Sequence, residues 1–135
     1  MKPHVSAITI GVSDLDRAKK FYEGLGWPIE QDHGVFVSFA ADEGSSALSL
    51  YSREGLADDA GVPPEGSGFT GVTFSYFVRS EATVDAVLAD AERGGGTIVR
   101  PAQSAQWGGY FGHFADLDGY LWKVTTVTGN QPAVE

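Results

Sequence analysis

Few side chains in this sequence are suited to chemistry, and they are widely spaced. The chain has no cysteine, which excludes disulfides, thiolate metal ligands and cysteine nucleophiles. Its three histidines are His4, His33 and His113, and a single histidine does not make a metal site. Lys123 and Tyr110 add an amine and a phenol, which act as acids or bases when their pKa values are shifted. These residue types predict ligand binding or acid-base chemistry.

Three aromatic side chains cluster between residues 107 and 111. Trp107, Tyr110 and Phe111 flank a Gly-Gly pair, and Tyr51 ends an earlier predicted strand. Rings of this kind stack on flat or glycosylated ligands, and the glycines allow close approach. The same rings are also typical of a hydrophobic core or a dimer interface, which is the alternative interpretation.

The elements that must position these residues form a pattern that occurs twice. Each copy has a strand with alternating apolar residues, an amphipathic helix and three further strands. The pattern predicts strands at residues 5–12, 28–31, 35–40, 47–51, 69–78, 97–100, 110–115 and 121–127, and helices near 15–25 and 81–93. We therefore expect one domain with a first module over about residues 4–52, a Gly/Pro-rich linker over 53–68, a second module over about 69–127 and a frayed tail over 128–135.

Composition and charge narrow the class of protein. With 135 residues, of which 42% are hydrophobic, the chain can bury a core. We expect a cytoplasmic protein, because no run of 18 apolar residues and no apolar leader is seen. The net charge of −9 disfavours binding to nucleic acid or anionic membranes and would attract cationic ligands. Alternatively, the acidity only keeps the protein soluble.

Four motifs in order resemble the vicinal oxygen chelate superfamily, which groups glyoxalase I, bleomycin resistance proteins and extradiol dioxygenases. They are Ile-Gly-Val-Ser-Asp-Leu at 10–15, Phe-Tyr-Glu-Gly-Leu-Gly-Trp at 21–27, Gly-Gly-Thr-Ile-Val at 95–99 and Asp-Leu-Asp-Gly-Tyr-Leu-Trp at 116–122. The usual motif has proline where Leu117 stands. The resemblance implies an α+β fold in which two tandem βαβββ modules form a cup-shaped, mostly antiparallel sheet with the helices outside.

The resemblance also implies where a metal would bind. Metal-dependent members of the family place one ligand on each of the first, fourth, fifth and eighth strands. These positions fall here on Ala7, Ser49, Thr73 (or Gly71, which has the same parity) and Lys123. A methyl group, neutral hydroxyls and an ammonium do not bind a divalent ion in that manner. We therefore expect no metal and no other cofactor.

Lys123 takes on a different role if it occupies a ligand position. Its positive charge could replace the metal by pairing with a carboxylate, enolate or phosphate. Alternatively, its ammonium reaches the rim or pairs with one of the many acidic side chains. His113 is the histidine expected nearest the cup, either as a site residue or as an ordinary strand residue.

Two classes of function compete on this evidence. The first is a metal-independent binding protein that resembles the bleomycin-resistance branch and sequesters an aromatic or cationic small molecule such as an antibiotic. The second is a metal-free lyase or isomerase acting on a small carbonyl compound, with Lys123, His113 or Tyr110 as catalytic candidates; a metal-dependent glyoxalase or dioxygenase ranks third. A homodimer is implied by the resemblance. The predicted ligand-binding residues are Ala7, Thr9, Ser49, Tyr51, Thr73, Trp107, Tyr110, Phe111 and Lys123.

Overall fold

The computed structural model of the chain describes residues 1–3, 5–60, 62–66, 68–70, 72–106, 108–127 and 133–135. The chain divides into two compact units, Met1–Ser67 and Gly68–Glu135, and each contains one four-stranded sheet. His4, Gly71 and Trp107, which were singled out above, lie outside the described residues.

The first unit has the order βαβββ followed by an additional helix. Its elements are β1 (Ala7–Val12), α1 (Leu15–Gly24), β2 (Ile29–Asp32), β3 (Phe36–Phe39), β4 (Ala47–Ser52) and α2 (Arg53–Ala60). The strand order in the sheet is β1-β4-β3-β2, with β1 parallel to β4 and the other pairs antiparallel.

Helix α1 covers one face of this sheet because its apolar residues recur at helical spacing. The Asp14 carboxylate caps the helix by accepting the Arg17 N–H at 3.0 Å. Tyr22 is fully buried, and its ring packs 5.8 Å from that of Phe39. Strand alternation puts Ile10, Val12, Leu48, Leu50, Val37 and Phe39 on this face and the intervening residues on the other. We call the face turned away from α1, or from its counterpart in the second unit, the distal face.

The second unit repeats the βαβββ order. Its elements are β5 (Thr73–Val78), α3 (Glu81–Arg93), β6 (Thr97–Ser104), β7 (Tyr110–Ala115) and β8 (Leu121–Thr126). The sheet order is β5-β8-β7-β6, again with one parallel pair, β5 with β8. The expected α+β fold of two βαβββ modules is therefore confirmed.

Helix α3 packs closely against its sheet, and Gly112 makes that approach possible. The helix begins where the Ser80 hydroxyl accepts the Thr83 N–H at 3.1 Å. A Cβ at Gly112 would lie 2.6 Å from Leu88 Cδ1, which is closer than carbon atoms can come. The residues on this face therefore form the core between α3 and the sheet. They include Trp122, Phe114 and Val124, and the half-buried Phe74 packs its ring 4.9 Å from that of Trp122.

The segment 53–68, expected as a linker, begins with a helix that the sequence analysis did not predict. Helix α2 follows β4 directly and packs on the distal face of the first sheet. A Cβ at Gly11 would lie 3.0 Å from the Arg53 Cα, so the glycine on β1 leaves room for the helix backbone. The Arg53 side chain then donates from Nε to the Pro64 carbonyl oxygen at 2.6 Å.

Three further differences concern the ends of elements. Strand β6 extends past the predicted end at residue 100 to Ser104, and β5 begins at Thr73 instead of residue 69. The tail, expected to be frayed, has residues 133–135 against β5, because the Val134 N–H donates to the Phe77 carbonyl at 2.7 Å.

Of the helices within the described residues, none is both long and apolar enough to cross a lipid bilayer.

Candidate functional site

A row of basic side chains crosses the distal face of the second sheet. Strand register places Ser75 beside Lys123, Lys123 beside His113 and His113 beside Arg100. Residues paired across neighbouring strands point to the same face, and His113 lies between the other two basic residues. We call Arg100, His113 and Lys123 the cationic row. In a chain of net charge −9, this row gives the distal face of the second sheet a local charge opposite to that of the protein.

The charged groups of the row converge on the ring of Phe111. Arg100 Cζ and Lys123 Nζ each lie 4.8 Å from the centroid of this ring. The His113 ring meets the same ring edge-on at a centroid distance of 5.8 Å. Phe111 is only 8% exposed, so its position is fixed by packing. Cation–π attraction therefore holds both charged groups against the same ring.

Arg100 is oriented by a second contact on its own strand. With the Gln103 amide turned so that its oxygen faces the guanidinium, that oxygen accepts from Nη2 at 2.8 Å and from Nε at 3.1 Å. One edge of the guanidinium is thereby occupied, and the fork of donors is held in one plane. Neither Arg100 nor Gln103 was among the site residues predicted from sequence.

The surroundings of His113 favour its neutral form. Burial lowers the pKa of His113 below its ordinary value of 6.5, and the charges of Lys123 and Arg100 lower it further. Among the described residues, its Nδ1 atom is buried without a hydrogen-bond partner. A neutral imidazole between two permanent cations can donate a hydrogen bond to an anion or take up a proton when an anion arrives.

Tyr110 does not belong to this group, although it directly precedes Phe111 in sequence. Its hydroxyl donates to Asp85 Oδ1 on α3 at 2.7 Å, which places it on the opposite face of the sheet. That hydrogen bond, with burial and the charge of Asp85, raises the pKa of Tyr110 above its ordinary value. The structure therefore separates Tyr110 from Lys123 and His113, contrary to the catalytic grouping suggested by sequence.

The first module carries an uncharged row at the matching register. Thr9 pairs with Ser49, Ser49 with Ser38, and Ser38 with Gln31, and these residues correspond strand by strand to Ser75, Lys123, His113 and Arg100. Ser49 is only 2% exposed. The two modules therefore present different chemistry on equivalent positions, hydroxyls and an amide in the first and cations in the second.

Tyr51 lies on the distal face of the first sheet, but its ring serves packing. A Cβ at Gly55 would fall 2.1 Å from the Tyr51 ring, so the ring packs directly on α2. The Phe36 ring contacts it from the neighbouring strand at a centroid distance of 6.2 Å. Helix α2 thus covers the end of the distal face where Tyr51 lies. Trp107, another aromatic residue predicted for the site, lies outside the described residues.

The residues at the four family ligand positions do not fit a divalent metal. Ala7 offers no donor atom, Ser49 and Thr73 offer neutral hydroxyls, and Lys123 brings a positive charge of its own. Ala7 and Thr73 stand at the exposed first positions of β1 and β5. Across the described ranges, no three His, Cys, Asp or Glu side chains come together as a metal-binding group. No chemical step is therefore assigned to a metal.

Comparisons with known proteins agree with this architecture. A sequence model of the Glyoxalase/Bleomycin resistance protein/Dioxygenase superfamily matches residues 4–124. A glyoxalase-related enzyme from Fulvimarina pelagi superposes with a TM-score of 0.86 at 27% identity, covering 99% of this chain and 98% of its own.

Two more distant structures share the fold. A glyoxalase/bleomycin resistance protein/dioxygenase family enzyme from Burkholderia phytofirmans has a TM-score of 0.79 at 18% identity, covering 90% of this chain and 97% of its own. A lactoylglutathione lyase from Agrobacterium tumefaciens has a TM-score of 0.68 at 20% identity, covering 93% and 95%. A comparison with curated proteins finds no match.

Proposed function

Because the chain belongs to the Glyoxalase/Bleomycin resistance protein/Dioxygenase superfamily, we propose that it is a metal-independent member that binds a small organic anion. The observation that carries the proposal is the cationic row, which includes Lys123 at a position where the family resemblance implies a metal ligand. A fixed ammonium and guanidinium supply the positive charge that a metal ion would otherwise supply to a bound carboxylate, enolate or phosphate.

The sign of the ligand charge differs from the expectation drawn from composition. The net charge of −9 favoured an aromatic or cationic compound, such as a sequestered antibiotic. None of the described strands β5 to β8 contains an acidic residue, whereas Arg100 and Lys123 bring two positive charges to one ring. Local charges govern a bound ligand more strongly than distant, solvent-screened charges do. The cationic row therefore favours an anion over a cationic drug.

Substitution of Lys123 by Met tests the proposal, with Lys20→Met as the matched control. Both changes remove one positive charge and keep a long apolar stem, but Lys20 lies exposed on α1. Charge-assisted hydrogen bonds are worth about 1.5–3 kcal/mol, so Lys123→Met should weaken binding of carboxylates or phosphate about 10- to 150-fold. Calorimetric titration of protein that has been freed of metal on a chelating resin measures the affinity.

Three results would contradict this function. Equal anion affinity in wild type and Lys123→Met would remove Lys123 from the site. Binding of cationic glycopeptides and not of anions would restore the sequestration hypothesis. Stoichiometric zinc, nickel or iron in protein purified without added metal would overturn the metal-independent assignment. The homodimer implied by the resemblance stays a prediction for sedimentation analysis.

A metal-free lyase or isomerase is the second candidate function, and one observation favours it. The pKa of His113 is lowered by burial and by the neighbouring cations, which favours a neutral ring, and the residue lies in register with Lys123. That arrangement suits removal of a proton beside a carbonyl group, with the electron pair moving to an oxygen held by the cation. Exchange of carbon-bound hydrogen of a 2-oxo acid in D2O, followed by NMR and abolished in His113→Gln, would favour the enzyme over the binding protein.

A further inference from the structure

The charged ends of Arg100 and Lys123 both contact a side chain of β7, the strand that lies between β6 and β8. Arg100 and Lys123 both pair with His113, from the two strands on either side of β7. Yet both side chains reach the ring of Phe111, which lies two positions before His113 on β7. Since each charged group lies 4.8 Å from the ring centroid, the two groups are at most twice that distance, 9.6 Å, apart. The site therefore contains two permanent positive charges within the length of a small molecule.

Holding two like charges this close opposes folding unless something compensates for their repulsion. The electron-rich faces of Phe111 provide part of the compensation. The Gln103 amide oxygen provides another part at the guanidinium. Burial, and then the charges of Lys123 and Arg100, lower the pKa of His113, so a third positive charge between them is disfavoured. A ligand with one negative charge would neutralise only one of the two permanent cations.

Resting on the proposed anion-binding function, we infer that the ligand is a small dianion, with one negative charge for Arg100 and one for Lys123. Two acidic groups on a short chain meet this requirement, as in a dicarboxylate, and so does a compact doubly charged phosphate. The planar donor fork of Arg100 suits a carboxylate or phosphate edge, while the Lys123 ammonium accepts any oxyanion geometry. His113 lies between them and can donate to either group.

The net charge of the protein excludes long-range attraction as the cause of a preference for dianions. A chain of charge −9 repels a dianion more strongly than a monoanion at long range. A preference for the dianion can therefore arise only from local contacts. The preference should also persist at moderate ionic strength, because solvent ions screen distant charges more than contacts in a half-buried site.

The test compares succinate, glutarate and inorganic phosphate with monomethyl succinate, which matches succinate in size and carries one charge. Calorimetry at pH 7.5 and constant ionic strength should show at least tenfold tighter binding of one of the dianions than of the monoester. Lys123→Met and Arg100→Met should each bring the ratio below about threefold, whereas Lys20→Met should leave it unchanged. Preference for phosphate over both dicarboxylates would identify a compact dianion, and the reverse would identify two separated groups.

The failures of the two proposals are distinguishable. If wild-type protein binds monomethyl succinate as tightly as the dianions, the dianion inference is overturned and the anion-binding function stands. If wild type binds none of these anions, both fall. The wild-type ligand series decides the inference by itself, so it does not depend on whether Arg100→Met folds.

Discussion

Replacement of Gly112 by Ala tests the packing that positions the cationic row. Gly112 lies on β7 between Phe111 and His113 and faces α3. A Cβ there would lie 2.6 Å from Leu88 Cδ1, 3.0 Å from the Arg100 carbonyl oxygen and 3.1 Å from the Ala102 amide nitrogen. The leucine methyl can turn away, but the other two atoms belong to the backbone of β6. The methyl group must therefore push the backbone of β6 away from Gly112.

The magnitude follows from two opposing terms. Adding a methyl group to a well-packed region costs about 1–3 kcal/mol. Alanine is favoured over glycine within a strand by about 0.5–1 kcal/mol, because glycine loses more backbone freedom on folding. The net loss in the free energy of unfolding should lie between about 0 and 2.5 kcal/mol, with a central value of about 1 kcal/mol. Because Arg100 lies at the contact, the affinity for anions should fall as well.

Urea denaturation measures the loss, with Gly24→Ala as the control. Gly24 ends α1, and a Cβ there would meet no atom within 4 Å. That variant should be as stable as wild type or up to about 1 kcal/mol more stable. Adding Leu88→Val to Gly112→Ala removes one of the three close contacts and should recover about 0.5–1 kcal/mol in a double-mutant cycle. If Gly112→Ala matched Gly24→Ala in stability, the close approach of α3 to β6 and β7 would be refuted.

Two further predictions concern the turn before β8 and the pH response. Asp116 is 5% exposed, and its Oδ1 accepts hydrogen bonds from the N–H groups of Asp118 and Tyr120, each at 2.9 Å. Asp116→Ala should therefore lower the free energy of unfolding by about 2–3 kcal/mol in urea denaturation. Asp116→Asn keeps an acceptor and should lower it clearly less, so equal losses in the two variants would contradict this role. The folded-state pKa of His113 is lowered, so the unfolded chain binds its proton first. Stability should therefore be fully present above pH 6.5 and fall below it, more steeply in wild type than in His113→Gln; parallel curves from pH 7.5 to 5.5 would refute it.

Local signals in the sequence were sufficient for most of the fold. Helix α3 spans Glu81–Arg93, as predicted, because Ser80 caps it and a glycine run follows it. Alternation identified β7 and β8, since the residues that face α3 are buried at every second position: Gly112 and Phe114 on β7, and Trp122 and Val124 on β8. These features depend on neighbours in sequence, which a single chain displays directly.

Features that depend on tertiary contacts were missed. Helix α2 contains Gly55 and has no fully buried residue, so its sequence resembles a loop; it forms against Gly11 and Tyr51 of the sheet. Strand β6 continues through Pro101, which is tolerated because β6 is an edge strand with irregular register. A propensity argument misses α2 altogether and ends β6 too early.

The site was only partly predictable for a related reason. Lys123 and His113 were identified from family positions and residue type. Arg100 joins them only because an irregularity between Ile98 and Arg100 shifts the register of β6 against β7. Tyr110 was grouped with Phe111 by sequence proximity, although adjacent strand residues point to opposite faces. Strict use of alternation would have separated these two rings.

The matched rows of the two modules show how this architecture divides its tasks. Backbone hydrogen bonds join the strands in both sheets, so the pairing of β4 and of β8 with their neighbours is the same whether Ser49 or Lys123 occupies the position. Recognition can therefore diversify in one copy of a duplicated unit without loss of the shared framework. For protein engineers, the hydroxyl-bearing positions of the first module are therefore suitable sites for substitutions that introduce a second binding specificity.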